Sequence, residues 1–230
     1  MYNGWCFYRG PSLLDGSPII ALVSGIHIPS ENSGTGPMAQ TWIIREDITP
    51  SAAVSNALDF AVCGDCKLRS KICYVMTFHG AGAVWRAYRD GQYLKHPVGY
   101  LQREASVRPL RIGSYGDPAA VPYAAWEKLM GYFPSHTGYT HQWRGLGKQF
   151  KGVLQASCDS REDYEEASAQ GWKCFTVAPE GTRPVGLGRE CSKQKYHSTC
   201  FDCRLCNGRQ TDVWINVHGR KSKVREHTWE

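Results

Sequence analysis

The sequence has no apolar run of bilayer length. Its longest, around Pro18 to Val23, is the size of one strand, whereas a membrane-spanning helix takes about 20 such residues, so a membrane partner is not expected. No N-terminal stretch joins a basic start to an apolar run and a small-residue cleavage site. The expectation is therefore a cytoplasmic protein. Internal repeats and low-complexity linkers are also absent, which sets aside solenoids and tethered modules. Excess charge is slight: 27 basic against 21 acidic residues, net +6. What excess there is gathers late, at Arg189, Lys193, Lys195, Arg204 and Arg209 and then Arg220, Lys221, Lys223 and Arg225. That segment could contact a polyanion such as nucleic acid, the alternative being a solvated tail.

Cysteine, by contrast, is plentiful. At 230 residues the chain can bury a full core without disulfide staples. In a reducing compartment clustered cysteines read as metal ligands or redox groups. Seven of the ten are clustered: Cys63, Cys66 and Cys73 spaced C-x2-C-x6-C, and Cys191, Cys200, Cys203 and Cys206 spaced C-x8-C-x2-C-x2-C. Two residues between thiolates let both sulfurs face one ion. The second run can close a tetrahedral site by itself and so reads as structural zinc or an auxiliary iron–sulfur cluster, with His197 inside it as an alternative ligand. The first run is one ligand short, which leaves an open coordination position.

The pattern along the chain divides it in three. Residues 1–39 are rich in turn residues and read as irregular, with one short strand at Ile19 to Val23. Residues 40–188 form an α/β core holding the first cysteine cluster. Residues 189–230 form a four-cysteine metal-binding segment with a final strand and a basic tail. In the core, strands starting near Gln40, Leu110, Gly138, Val153 and Cys174 alternate with helices at Thr49 to Leu58, Ala81 to Arg89, Tyr123 to Met130 and Ser160 to Gln170. A last strand spans Asp212 to Val217. Such alternation predicts an incomplete (β/α) barrel or an open, mostly parallel sheet, with chemistry at the C-terminal ends of the strands.

Three segments lie at such ends. Ser114-Tyr115-Gly116-Asp117 is a strand–turn segment whose glycine admits a ligand and whose acid can accept from an amine. Thr140-His141 offers a general acid/base or ligand, against the reading of a satisfied core histidine. Cys158-Asp159 offers a carboxylate that also reads as a helix N-cap, and the cap is the preferred reading. His79 and Trp85 could shield the first cluster, whereas His218 has no partner that the sequence names. Cys6 and Cys174 read as buried thiols.

A three-cysteine loop closing on Cys73-Tyr74, followed by Leu110-Arg-Ile-Gly-Ser-Tyr-Gly-Asp-Pro118, resembles the order of motifs in radical S-adenosylmethionine (SAM) enzymes. Their usual cysteine spacing, C-x3-C-x2-C, is not kept here, and Ser-Tyr-Gly-Asp replaces their Gly-Gly-Glu turn. The resemblance implies a [4Fe–4S] cluster on Cys63, Cys66 and Cys73, with SAM bound at its open iron near Ser114, Gly116 and Asp117. His141 and Asp117 are the catalytic candidates it leaves. The chain also looks like a phage-encoded cysteine-rich protein family sharing the Cys-Gly-Asp-Cys, Gly-Ser-Tyr-Gly-Asp-Pro and Gly-Tyr-Thr-His-Gln-Trp segments, a likeness that brings no activity with it. Two functions follow as expectations. One is an iron–sulfur enzyme acting on a small-molecule or nucleic-acid-derived substrate. The other is a zinc-stabilised nucleic-acid-binding protein without catalysis. The open position of the first cluster favours the enzyme.

Overall fold

The computed structural model describes residues 1–69, 73 and 75–218. Tyr74 and the basic run Arg220, Lys221, Lys223 and Arg225 lie outside the described residues. The chain is a mixed α/β protein with two five-stranded sheets. It divides into two compact units, residues 1–64 with 75–136, and residues 65–74 with 137–230. No helix among the described residues is long and apolar enough to cross a membrane.

The first unit opens with strands β1 (Trp5–Pro11), β2 (Pro18–Ser24) and β3 (Ala39–Arg45). These pair as an antiparallel meander, so residues 1–39 are not the irregular segment expected from their turn residues. The turn residues instead close a hairpin. Asp15 accepts from the Ser17 amide, and Gly16 takes the left-handed backbone that the reversal needs. The first strand escaped notice because a register shift between Cys6 and Tyr8 breaks its alternation. Strand β2 is buried from Ile19 to Val23 on both faces, as its unbroken apolar run requires between two neighbours.

Helices α1 (Pro50–Ser55), α2 (Phe60–Cys63), α3 (Gly80–Arg89) and α4 (Gly99–Ala105) follow. The first starts as its sequence dictates, with Pro50 at the first position and the Thr49 hydroxyl accepting from the Ala52 amide. Strand β4 (Leu110–Tyr115) pairs parallel with β3. The segment after it turns at Gly116 and leads into α5 (Tyr123–Met130), and β5 (His136–Thr137) completes the first sheet in the order β1-β2-β3-β4-β5. At the turn Asp117 is the cap of a short 3₁₀ segment. Its carboxylate accepts from the Ala119 amide, and its own amide donates to the Val62 carbonyl. Trp126 is buried below, donating to the Pro118 carbonyl and meeting the Phe7 ring at 5.0 Å.

The second unit is built on β6 (Tyr139–Thr140), β7 (Gln155–Cys158), α6 (Arg161–Ala169), β8 (Cys174–Ala178), β9 (Arg189–Glu190), α7 (Ser192–Tyr196), α8 (Cys200–Cys203) and β10 (Val213–Asn216). All its strands run parallel, in the order β6-β7-β8-β10-β9. The expected parallel sheet is thus met in this unit, while the first sheet is mixed. The Gly138 to Trp143 strand is shorter than expected, because Gln142 donates to the Thr140 hydroxyl and turns the chain.

The turn after β4 sets a sharp sequence requirement. Gly116 has φ +82°, and a Cβ there would stand 2.7 Å from both Cβ and the carbonyl oxygen of Ile43. Gly91 also has positive φ (+72°) but faces open space. Gly116→Ala should therefore cost about 3 kcal/mol, from backbone strain plus overpacking, and Gly91→Ala only about 1 kcal/mol, from strain alone. Urea denaturation of the two variants checks this, and equal losses would contradict it.

Candidate active site

The C-terminal ends of β6 and β7 carry His141 and Asp159 side by side. The two strands are adjacent and parallel, with Thr140 in register with Ala156, so the residues that follow them emerge at one edge of the sheet. The imidazole Nε2 of His141 lies 3.4 Å from Oδ2 of Asp159. Both side chains are largely buried, and the other Asp159 oxygen has no hydrogen-bond partner among the described residues. Cys66, half-buried on the loop that opens this unit, is the third member, close enough to His141 to favour its charged form. Burial by itself would push the His141 pKa down. Hydrogen bonds and charge from Asp159 and Cys66 outweigh it and hold the pKa well above the ordinary value. His141 is thus drawn toward its charged form by a neighbouring carboxylate and a sulfur.

One carboxylate fixes the three segments that supply these groups. Ser160 caps α6 by accepting from the Asp163 amide, and Asp163 reaches back to accept from the Asp159 amide at 3.1 Å. The same carboxylate takes Nζ of Lys67, next to Cys66, at 3.3 Å and the Arg144 guanidinium, three residues after His141, at 2.8 Å. Arg144 also reaches Glu166 at 2.6 Å and lies over the Trp143 ring at 4.1 Å. Trp143 is buried and donates to the Ser157 carbonyl. Burial would raise the Asp163 pKa, but Arg144, the Asp159 amide and Lys67 together hold it below 3.8.

The other expected site residues are scattered differently. Cys63 ends α2 in the first unit, while Cys66 and the exposed Cys73 belong to the second. Among the described residues no three His, Cys, Asp or Glu side chains are grouped to hold a metal ion. In the first unit Gly116 and Asp117 serve the turn, and the Ser114 hydroxyl is buried without a partner among the described residues. His79 stacks its ring on Phe78 at 4.4 Å, the Trp85 indole N–H is buried, and His218 contacts the Asn216 carbonyl at 3.2 Å.

In the second unit Cys191 is the residue before α7, and its side chain makes no capping hydrogen bond. Burial, then the nearby Cys200 and Cys203, push the Cys191 thiol up. The Cys206 carbonyl accepts from Gly138, and Cys203 contacts the Ser192 hydroxyl at 3.3 Å. His197 is exposed at the left-handed end of α7. Of the thiols expected to be buried, Cys174 is buried and Cys6 half-buried. Cys6 is raised to about 11 by burial, and Cys158 is raised by the Cys174 thiol beside it and by burial.

Sequence reasoning singled out His141 but assigned Cys66 to a metal and preferred a cap role for Asp159, which Ser160 takes instead. It missed Lys67, Arg144 and Asp163. The available signal was His141 and Asp159 each one residue past consecutive parallel strands. The chain matches no protein-family model, and neither curated proteins nor solved structures yield a match.

Because its folded pKa is depressed, the Asp163 carboxylate stabilises the fold fully above pH 3.8 and loses this contribution as pH falls through the lower folded value. Lys67 and Arg144 are half-exposed, so the expected effect is moderate. Asp163→Asn should cost about 2 kcal/mol at pH 7. Its deficit in urea titrations should stay level down to about pH 5 and shrink below pH 3.8. A deficit independent of pH would show that the charge is not what matters.

Proposed function

We propose that the second unit is the catalytic part of a thiol-dependent enzyme that transfers or hydrolyses an acyl group, with Cys66 as nucleophile, His141 as acid/base and Asp159 as its orienting group. The observation that carries this reading is the meeting of the three side chains at the ends of β6 and β7: the buried His141 lies 3.4 Å from Asp159 and within electrostatic reach of Cys66. A sulfur beside an imidazolium is the setting in which thiol nucleophiles work, and a third group orienting the imidazole completes the arrangement. In such a reaction the Cys66 sulfur bonds to the acyl carbon while the bond from that carbon to the leaving oxygen or nitrogen breaks. His141 gives the leaving group a proton. A water then gives its proton to His141 and its oxygen to the acyl carbon, which frees the thiol. The 3.4 Å separation of His141 and Asp159 is longer than an ideal hydrogen bond, as catalytic contacts are before substrate tightens them.

A second reading concerns the C-terminal cysteines. The Cys191 sulfur lies within electrostatic reach of Cys200 and Cys203, which α8 places three residues apart on one face. That chemistry fits a thiolate site for a structural metal, zinc or a cluster iron, drawing in Cys206 or His197 as the remaining donor. Mutually repelling sulfurs would lose their repulsion on binding a cation. The iron–sulfur and SAM reading of the first cluster, and an incomplete barrel as the finer description of the fold, rest on motif order and on the parallel sheet of the second unit alone.

Alkylation followed by mass spectrometry separates these readings. Iodoacetamide should label Cys66 ahead of Cys6 and Cys158, and His141→Gln should slow that labelling by about tenfold or more. Turnover of activated acyl esters should vanish in Cys66→Ala and fall about 10²–10⁴-fold in His141→Gln. Metal should persist in Cys66→Ala and be lost in Cys203→Ser. Iron with absorption near 400 nm that disappears in Cys66→Ala would overturn the thiol-enzyme reading in favour of an iron–sulfur centre.

A further inference from the structure

At the edge of the second sheet, away in sequence from Cys66, His141 and Asp159, lies an open cleft of about 490 Å³, within the usual size of a small-ligand site. Its floor is Trp214 on β10, buried to 5 % exposure. Its walls carry three cations: Arg183, Arg189 on β9 and Lys195 on α7. The Arg183 and Arg189 guanidinium groups have neither an ion pair nor a hydrogen bond among the described residues. Lys195 has no carboxylate partner there and lies 5.0 Å from the centre of the Tyr196 ring. Glu190 is the one carboxylate in the lining, and its oxygen already accepts from the Gln194 amide group at 3.1 Å. Tyr196 itself is 66 % exposed, so the ring shares the cleft wall with the Lys195 ammonium and is open to solvent.

Three cations without a carboxylate partner among the described residues, on one concave surface, concentrate positive potential. A neutral or cationic ligand has no use for them. A small carboxylate would use one guanidinium and leave the ring bare. The combination of several cations with an exposed aromatic face matches a ligand that repeats a phosphate and carries a flat ring, since phosphates take the cations and bases stack on the ring. We infer that this cleft binds a segment of single-stranded nucleic acid, with Arg183, Arg189 and Lys195 on its phosphates and a base against Tyr196. The proposal is independent of the acyl-transfer chemistry assigned to Cys66: either can fail without the other.

Fluorescence anisotropy with a labelled single-stranded oligonucleotide of about twelve nucleotides, on the full chain at several salt concentrations, tests it. Wild type should bind, and log K should fall with log salt by about 0.7 for each phosphate engaged. Arg183→Glu/Arg189→Glu should weaken binding at least about a hundredfold and flatten that slope by about 1.4, two contacts' worth. Tyr196→Ala should weaken it about tenfold with the slope unchanged. All these positions except Trp214 are at the surface, so circular dichroism of each variant should match wild type. Lys221→Ala/Lys223→Ala provides the opposing arm. Binding that is lost in that variant but kept in the cleft variants would overturn the proposal. So would a free mononucleotide that binds as tightly as the oligonucleotide.

Discussion

The Asp163 carboxylate is the constraint on which the candidate site rests. It holds Lys67, Arg144 and the Asp159 amide at once, and these three belong to the segments that deliver Cys66, His141 and Asp159. Without it each would be a loop end governed by its own entropy, and loop ends do not hold side chains to a fraction of an ångström. The carboxylate is itself fixed by α6, whose first turn it occupies: its backbone amide is bonded to the Ser160 cap, and its charge lies at the favourable end of the helix. A local capping arrangement, legible in four residues of sequence, thereby becomes the anchor of a long-range network.

Burial then sorts the thiols. Cys6 and Cys158 are raised by desolvation, and Cys158 further by its neighbour Cys174, which leaves them as packing groups. Cys66 is half-buried beside an imidazole that burial alone would discharge, yet which Asp159 and Cys66 draw toward its charged form. The same desolvation that would lower the His141 pKa also strengthens its interaction with Asp159, because a low-dielectric site weakens hydration and screening together. Position at the ends of parallel strands, rather than the number of cysteines, is what separates the reactive candidate from the rest.

Much of the fold was legible from residues whose physics is local. Tyr123–Met130, the Thr49–Pro50 helix start and the strand at Cys174 follow from periodicity, capping chemistry and apolar runs. What escaped was non-local or irregular. Strand β1 hides its alternation behind a bulge, and α4 starts at Gly99 with no side-chain cap to announce it. For the candidate site, His141 stood out as a polar residue past a strand, but its partners come from positions 75 residues before and 18 after. Cys66 was read by its spacing to Cys63 and Cys73, and spacing along a chain says nothing about which histidine the fold will bring to it. Asp163 looked like an ordinary first-turn acid because its burial, at 5 % exposure, is a tertiary fact.

Strand order also explains why one sheet can host two separate chemistries. Strand β10 is last in the chain yet lies between β8 and β9, so the segment holding Cys191, α7 and α8 is a crossover that leaves β9 and returns to its inner side. Asp212 secures that return: its side chain accepts from the Cys174 amide and its carbonyl from the Arg189 amide, tying β8, β9 and the start of β10 together. Trp214, on the strand so placed, packs with Ala178 and Leu187 on one side and floors the cationic cleft on the other. The cleft is therefore set by the crossover, whereas the Cys66, His141 and Asp159 group is set by β6, β7 and α6. A metal on the C-terminal thiols would bear on the first and not on the second, since Cys191 lies between Glu190 and Ser192 of the cleft wall while no C-terminal cysteine enters the Asp163 network.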